Sequence, residues 1–199
     1  MSYLKNTLGT LVLASSLVLG ACNSNPGTTD QQVSSSTQPT AAAGTQAVPA
    51  KGFSADQINV TLTLLGAPAV SADGQNIAVN VNLANAGKVT LSSQGSANVV
   101  HLGAHGVGPD GKVVITDLAR ASIPDIAPGA QATVTILLPI AQVLNKSAQI
   151  LPVQEGIAWF DAWGTKPLTV GPFSNCSDAA AGKVCDATGK PLDTLTATH

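Results

Sequence analysis

Apolar and polar residues alternate along several stretches of this sequence, and this alternation restricts the fold more than any other feature. Between residues 58 and 64, isoleucine, valine and leucine take every second position, with asparagine and threonine between them. The same pattern returns at 77–83 and at 132–138. Because successive side chains of a β-strand point to opposite faces of the sheet, each stretch predicts a half-buried strand with one polar face.

Turn sequences and shorter apolar segments fill the rest of this region. The tetrapeptide Gly-Pro-Asp-Gly at 108–111 predicts a tight turn between two further strands. Residues 119–129 contain two prolines and predict a connection, and 139–148 predicts either a short helix or a crossing between sheets. We expect the last strands within 150–160 and 168–170. Seven or eight short strands without a long helix predict an all-β fold, namely an antiparallel two-sheet sandwich over residues 53–175.

The chain begins with the three parts of an export signal, in residues 1–21. Lys5 supplies a positive charge, and residues 8–19 are apolar apart from glycine, threonine and serine. This apolar run is too short for a transmembrane helix, which needs about 20 residues. The remaining alternatives are an ordinary secretory signal and a lipoprotein signal.

The residues that follow distinguish these alternatives. The sequence Leu-Gly-Ala-Cys at 19–22 resembles the lipobox of bacterial lipoproteins. In that family the cysteine thiol receives a diacylglycerol and the preceding peptide is removed. The resemblance implies that Cys22 is lipidated and that the membrane is the first partner of this chain. In that family, an aspartate after the cysteine retains the lipoprotein at the inner membrane. This chain has Asn23 there, so the resemblance implies a location at the outer membrane of a bacterial cell envelope.

A low-complexity segment follows the cysteine. Residues 22–52 are rich in serine, threonine, glutamine, alanine, proline and glycine and have almost no large apolar side chains. Such a segment buries too little apolar surface to offset the entropy lost on ordering. We expect a disordered tether between the lipid and the folded domain.

Charge and cysteine content narrow the function further. Only 10% of the residues are charged and the formal net charge is −2, so we expect no nucleic-acid partner. Cys176 and Cys185 are the cysteines that remain beside Cys22. An exported chain meets oxidising surroundings, which predicts a disulfide between them in the C-terminal tail, residues 176–199.

A further resemblance rests on motifs that occur in one order along the chain. They are His105, Pro-Asp-Gly-Lys-Val-Val at 109–114, Asp117, Arg120, Ile-Pro at 123–124, Ile-Ala-Pro-Gly at 126–129, and Val-Gln-Glu-Gly-Ile-Ala-Trp-Phe at 153–160. The order is similar to an immunoglobulin-like accessory module of bacterial surface-polysaccharide methyltransferases and glycosyltransferases. Over residues 58–172, the resemblance implies an immunoglobulin-like sandwich without catalytic residues.

Four residues are candidates for a ligand-binding or structural polar site: His105, Asp117, Arg120 and Trp163. Arg120 is the only arginine, and Asp117 is its expected ion-pair partner. Trp163 would either stack on a sugar ring or pack in the core. Trp159 and Phe160 should point to opposite faces, so that one of them lies in the core. Glu155 is the only glutamate and has no carboxylate neighbour in sequence, which argues against glycoside hydrolysis.

No catalytic motif accompanies these residues. On a strand, His101 and His105 would lie roughly 13 Å apart, so we expect no metal site and no cofactor. The sequence therefore predicts a non-enzymatic envelope lipoprotein whose sandwich is a binding or structural module that contacts an envelope protein or glycan. The alternative is a carbohydrate-binding protein or an enzyme that acts on surface polysaccharide.

Overall fold

The computed structural model describes residues 51–177 and 182–196. The predicted signal peptide, Cys22 and almost all of the predicted tether lie outside the described residues. The described residues form ten strands: β1 Val60–Leu64, β2 Ala69–Val70, β3 Asn76–Asn85, β4 Val100–Val107, β5 Val113–Ser122, β6 Gln131–Pro139, β7 Lys146–Gln154, β8 Ala158–Trp159, β9 Leu168–Asn175 and β10 Val184–Cys185. The one α-helix described, α1, is Ile140–Val143, and 3-10 turns occupy Ala55–Gln57 and Phe160–Trp163. No helix in these two ranges is long and apolar enough to cross a membrane.

The strands form two antiparallel sheets. In sheet 1, β3 pairs with β1 and β2 along one edge and with β6 along the other. In sheet 2, the order is β5-β4-β7-β9-β10, and β8 adds a short pairing to β7. The chain changes sheet between β3 and β4, between β5 and β6, and between β6 and β7. The predicted antiparallel sandwich is confirmed.

The sequence alternation explains which side chains form the core. On β3, Ile77, Val79, Val81 and Leu83 are fully buried, whereas Asn80 is exposed. On β4, Val100, Leu102 and Ala104 are fully buried and belong to the same cluster. Burial of these aliphatic faces stabilises the sandwich by about 25 cal/mol per Å² of apolar surface removed from water.

Two segments differ in detail from the sequence prediction. Strand β5 continues to Ser122, because its pairing with β4 extends to the partners His101 and Ser122. The connection to β6 is therefore shorter than the predicted 119–129. The predicted strand at 150–160 is instead a hairpin, since the chain turns after Gln154 and β8 pairs back onto β7. Gly156 supplies the positive φ, 71°, in this turn.

The C-terminal segment takes part in both sheets. A disulfide joins Cys176 to Cys185, as the sequence predicted. Strand β10 pairs with β9 through Val184 and Cys185, which extends sheet 2 beyond the predicted domain boundary at residue 175. Farther along, Thr194 bridges Val70 of β2 at the edge of sheet 1. The disulfide thus lies at the start of a segment that closes one edge of the sandwich.

Candidate functional site

The outward face of sheet 2 carries most of the candidate residues. On β4, the inward positions are apolar, and the outward positions between them are His101, Gly103 and His105. Antiparallel pairing places Arg120 of β5 opposite Gly103 and Val153 of β7 opposite His101. Cross-strand partners share a face of the sheet, so these side chains lie together on the outside of the sandwich.

An ion-pair network centres on Arg120. Its Nε lies 3.1 Å from Glu155 Oε1, and its Nη1 lies 2.7 Å from Asp117 Oδ1. His101 Nδ1 lies 2.9 Å from the same Glu155 oxygen. Glu155 reaches this network because the turn after β7 places it beside the end of β4, where its backbone N–H donates to Val99. Arg120 therefore joins two carboxylates from different parts of the sheet.

Trp159 covers the centre of this face. The Arg120 guanidinium carbon lies 4.3 Å from the centroid of the Trp159 ring, in a cation–π arrangement. The His105 ring lies 3.8 Å from the Trp159 ring, centroid to centroid, at an interplanar angle of 42°. Trp159 is on β8, so its indole reaches back across β7 toward β4. Beneath this path, the outward side chains Leu151 and Val153 are 0% and 4% exposed.

Gly103 provides the space for this arrangement. A Cβ atom built at Gly103 would lie 2.6 Å from Arg120 Nη1 and 2.7 Å from the Trp159 ring. Both distances are shorter than van der Waals contact, so a larger residue would displace the arginine or the indole. The absent side chain at position 103 therefore lets two large side chains lie flat on the strand.

His105 is held by the main chain. Its Nδ1 lies 2.6 Å from the carbonyl oxygen of Thr116, and a carbonyl can only accept a hydrogen bond. His105 therefore donates through Nδ1, and its ring orientation is fixed between Thr116 and Trp159. We name the following set the Arg120 cluster: His101, His105, Asp117, Arg120, Glu155 and Trp159.

The structure brings together three of the four candidates from the sequence. His105, Asp117 and Arg120 belong to the cluster, whereas Trp163 does not. Trp163 packs edge-to-face against Phe53 and Phe160, with ring centroids 6.0 Å and 5.1 Å away. Phe160 is fully buried and Trp159 is partly exposed, so one of the two lies in the core as predicted, although Phe160 belongs to a 3-10 turn and not to the strand.

Sequence reasoning missed Glu155, Trp159 and His101 as members of the site. No local spacing connects Glu155 with Arg120, because they are 35 residues apart. The motif at 153–160 did contain Glu155 and Trp159. That motif was the only sequence feature that could have indicated both residues.

The chemistry of the cluster suits recognition on an open surface. It offers charged hydrogen-bonding groups beside an indole, on a sheet face instead of in a deep cavity. Asp117 has 62% of its side chain exposed and Glu155 has 38%, so both carboxylates are accessible. In the described ranges, no group of three or more His, Cys, Asp or Glu side chains is arranged to hold a metal ion.

No known protein family matches the chain, and no curated protein matches it significantly.

Proposed function

We propose that this chain is a lipid-anchored protein of the bacterial outer membrane that presents a non-catalytic β-sandwich as a binding module. The observation that carries the binding role is the Arg120 cluster on the open face of sheet 2. Cys22 would fix the chain to the membrane through its acyl groups. Residues 22–52 would act as a tether that raises the local concentration of the sandwich near its partner.

The contacts of the cluster support binding rather than catalysis. The Nδ1 atoms of both histidines are engaged, His101 with Glu155 and His105 with a backbone carbonyl. Within the described ranges, no serine or cysteine hydrogen-bonds to either histidine, so no nucleophile–base pair is assembled there. Arg120 also contacts both carboxylates, which gives the cluster a defined geometry before any ligand arrives.

The disulfide supports an exported location. Disulfides persist in oxidising compartments such as the periplasm and the cell surface. A bond between Cys176 and Cys185 is therefore consistent with a chain whose N-terminus resembles a lipoprotein signal.

A second candidate function is recognition of a glycan by the same face. The observation that favours it is that His105, Arg120, Glu155 and Trp159 meet in space. These four residues belong to the motifs that resemble the polysaccharide-associated module. An indole beside charged hydrogen-bonding groups matches a sugar, which offers both C–H surfaces and hydroxyl groups. An enzyme acting on surface polysaccharide is the remaining alternative.

The anchor is tested by the chemistry of Cys22. We expect mass spectrometry of the membrane-extracted protein to show an acylated N-terminal cysteine at position 22. A Cys22→Ser variant should lose the acyl mass and leave the membrane fraction. A chain that begins elsewhere, or that carries an unmodified Cys22, would contradict the anchor.

The binding role is tested by cross-linking in intact envelopes, together with a glycan array. The full chain is compared with Arg120→Ala, and Lys112→Ala serves as the control because Lys112 lies at the β4–β5 turn with 81% of its side chain exposed. We expect Arg120→Ala to lose the captured partner while Lys112→Ala keeps it. If the chain binds to the glycan array and no protein is cross-linked, the partner is a glycan and not an envelope protein. Turnover of a captured polysaccharide would overturn the non-catalytic role.

A further inference from the structure

The four strands of sheet 1 carry no ionisable side chain, although Asp193 lies at the β2 edge, where its backbone carbonyl accepts from the Val70 N–H. These strands, β1, β2, β3 and β6, contain no aspartate, glutamate, lysine, arginine or histidine. Sheet 2 differs, because β4, β5 and β7 carry two histidines, an aspartate, an arginine and a lysine. Charged side chains normally keep exposed sheet surfaces soluble and prevent them from pairing. An exposed sheet face without them needs a physical explanation.

The outward face of sheet 1 is a regular array of small polar groups. Strand pairing places Thr63, Asn82 and Thr133 in one row across the sheet. The next row contains Asn80 and Thr135, in which the Thr135 hydroxyl donates to Asn80 Oδ1 at 2.6 Å. Neighbouring strands lie about 4.8 Å apart, and alternate residues along a strand lie about 6.7 Å apart. The array therefore presents hydroxyl and amide groups at regular spacing.

Two exposed leucines border this array. Leu137 faces outward on β6, opposite Ala78 of β3, and is 48% exposed. Leu65 follows Thr63 by two residues, so alternation places it on the same face, and it is 40% exposed. Its backbone N–H donates to the Asn80 carbonyl at 2.8 Å, which continues the ladder of β1. The face thus combines neutral polar groups with apolar contact area.

We propose that the outward face of sheet 1 is a second binding surface, whose ligand is a neutral, hydroxyl-rich polysaccharide. Threonine hydroxyls and asparagine amides both donate and accept hydrogen bonds, as sugar hydroxyls do. Leu65 and Leu137 match the apolar C–H surfaces of sugar rings. A charged polymer would lose hydration on this face without meeting an opposite charge.

A second copy of the chain fits this face less well. Stable interfaces between protein copies have an apolar core with aromatic residues. Here the large apolar side chains exposed beside the threonine and asparagine rows are Leu65 and Leu137, and neither is aromatic. Stacking two such faces would bury threonine and asparagine groups that require hydrogen-bond partners. The hydroxyl groups of a polysaccharide can both donate to and accept from such groups.

The test measures co-sedimentation of the full chain, in detergent, with cellulose and with cross-linked dextran. Alginate, an anionic polysaccharide, serves as the comparison ligand. We expect the chain to bind at least one neutral polymer and not alginate. Binding should change by less than about twofold between roughly 0.05 M and 0.5 M salt, because no ion pair takes part.

Matched lysine variants locate the surface. Thr63→Lys/Thr133→Lys adds two charges to sheet 1, and we expect binding about tenfold weaker, because the ammonium groups resist dehydration. Ser122→Lys/Thr169→Lys adds the same charges at exposed positions on the outward face of sheet 2 and should bind as the parent chain does. Thermal unfolding by circular dichroism checks that each variant is folded. Leu137→Ser is a milder variant that should weaken binding several-fold.

The proposal is overturned if neither neutral polymer binds, or if the two lysine pairs have equal effects. It is also overturned if analytical ultracentrifugation shows a dimer that only Thr63→Lys/Thr133→Lys dissociates. The proposal for sheet 1 does not rest on the role proposed for sheet 2. If the two faces act separately, Arg120→Ala should leave binding to the neutral polymer unchanged. Loss of that binding in Arg120→Ala would assign the polysaccharide to the Arg120 cluster instead.

Discussion

The only arginine of the chain donates to its only glutamate: Arg120 Nε lies 3.1 Å from Glu155 Oε1 across 35 residues of sequence. Their side chains are 27% and 38% exposed, so water screens the pair in part. The two residues come from an edge strand of sheet 2 and from the turn that follows β7. Their contact fixes the position of that turn, and hence of Trp159, relative to the edge of the sheet.

A double-mutant cycle should detect this contact. Arg120→Ala removes two ion pairs and the contact with the Trp159 ring, and we expect the free energy of unfolding to fall by about 1 kcal/mol. The coupling energy between Arg120→Ala and Glu155→Gln should be about 0.5–1 kcal/mol, measured by urea unfolding. The pair Lys88–Asp56, whose side chains are 70% and 69% exposed, is the control and should show no measurable coupling. Equal coupling in both pairs would contradict the central place of Arg120.

Gly103→Ala should be unusually costly for a position on the outward face of a sheet, because Gly103 is buried beneath Arg120 and Trp159. The new methyl group would lie 2.6 Å from Arg120 Nη1 and 2.7 Å from Trp159, so one of them must move. We expect a loss of about 1–3 kcal/mol in the free energy of unfolding, together with a change in tryptophan fluorescence. Gly106→Ala, on the same strand, should cost less, because the three atoms nearest to its new methyl group all belong to Ile115 and the closest lies 3.1 Å away. An unchanged fluorescence spectrum in Gly103→Ala would contradict the packing described.

Removal of the disulfide should loosen the C-terminal segment. The cysteines are 9 residues apart in sequence, and a loop of this size predicts a stabilisation of about 2–3 kcal/mol. We expect Cys176→Ser/Cys185→Ser to lower the unfolding temperature. Hydrogen exchange should become faster at the Leu192 and Leu195 amides, which donate to Val184 and Val70. Exchange at the β3 amides in the sandwich centre is the internal reference and should change less.

The turn after β10 should respond to acid. The Thr188 hydroxyl, then the Thr188 backbone N–H, hold the pKa of Asp186 below its ordinary value. A lowered folded-state pKa gives a stabilising contribution that is present above the unfolded-state pKa and is lost as pH falls through the folded-state value. We expect this turn to loosen from roughly pH 4 downward. In Thr188→Val the pKa of Asp186 should rise, as followed by NMR titration of its carboxyl carbon, and an unchanged pKa would refute the role of the hydroxyl.

Much of the fold could be predicted because alternation is a local property. The strand at 77–83 and its buried face could be predicted without reference to any other part of the chain, from the alternating residues Ile77, Val79, Val81 and Leu83. The hairpin after Gln154 was not predicted, because residues 150–160 were interpreted as one strand although Gln154, Glu155 and Gly156 interrupt its apolar residues. The turn was decided by the pairing of Trp159 with Val153, which a local pattern does not encode.

The site was less predictable than the fold. Asp117 was the expected partner of Arg120 because Arg120 is the only arginine, and the structure contains that ion pair. Glu155 argued against hydrolysis in sequence because it lacked a carboxylate neighbour. In space it shares Arg120 with Asp117, which only the pairing of β5, β4 and β7 brings about.

By itself the sequence determined the strands with regular alternation, their buried side, and the two cysteines available for a disulfide. It did so because strand periodicity appears within a few consecutive residues and because the cysteines can be counted directly. Tertiary structure alone decided that the charged strands share one sheet and the uncharged strands share the other. That separation depends on which strands pair, and pairing is decided by contacts between residues far apart in the chain. The described residues therefore present two outward faces of different chemistry, one centred on Arg120 and one whose four strands carry no ionisable side chain.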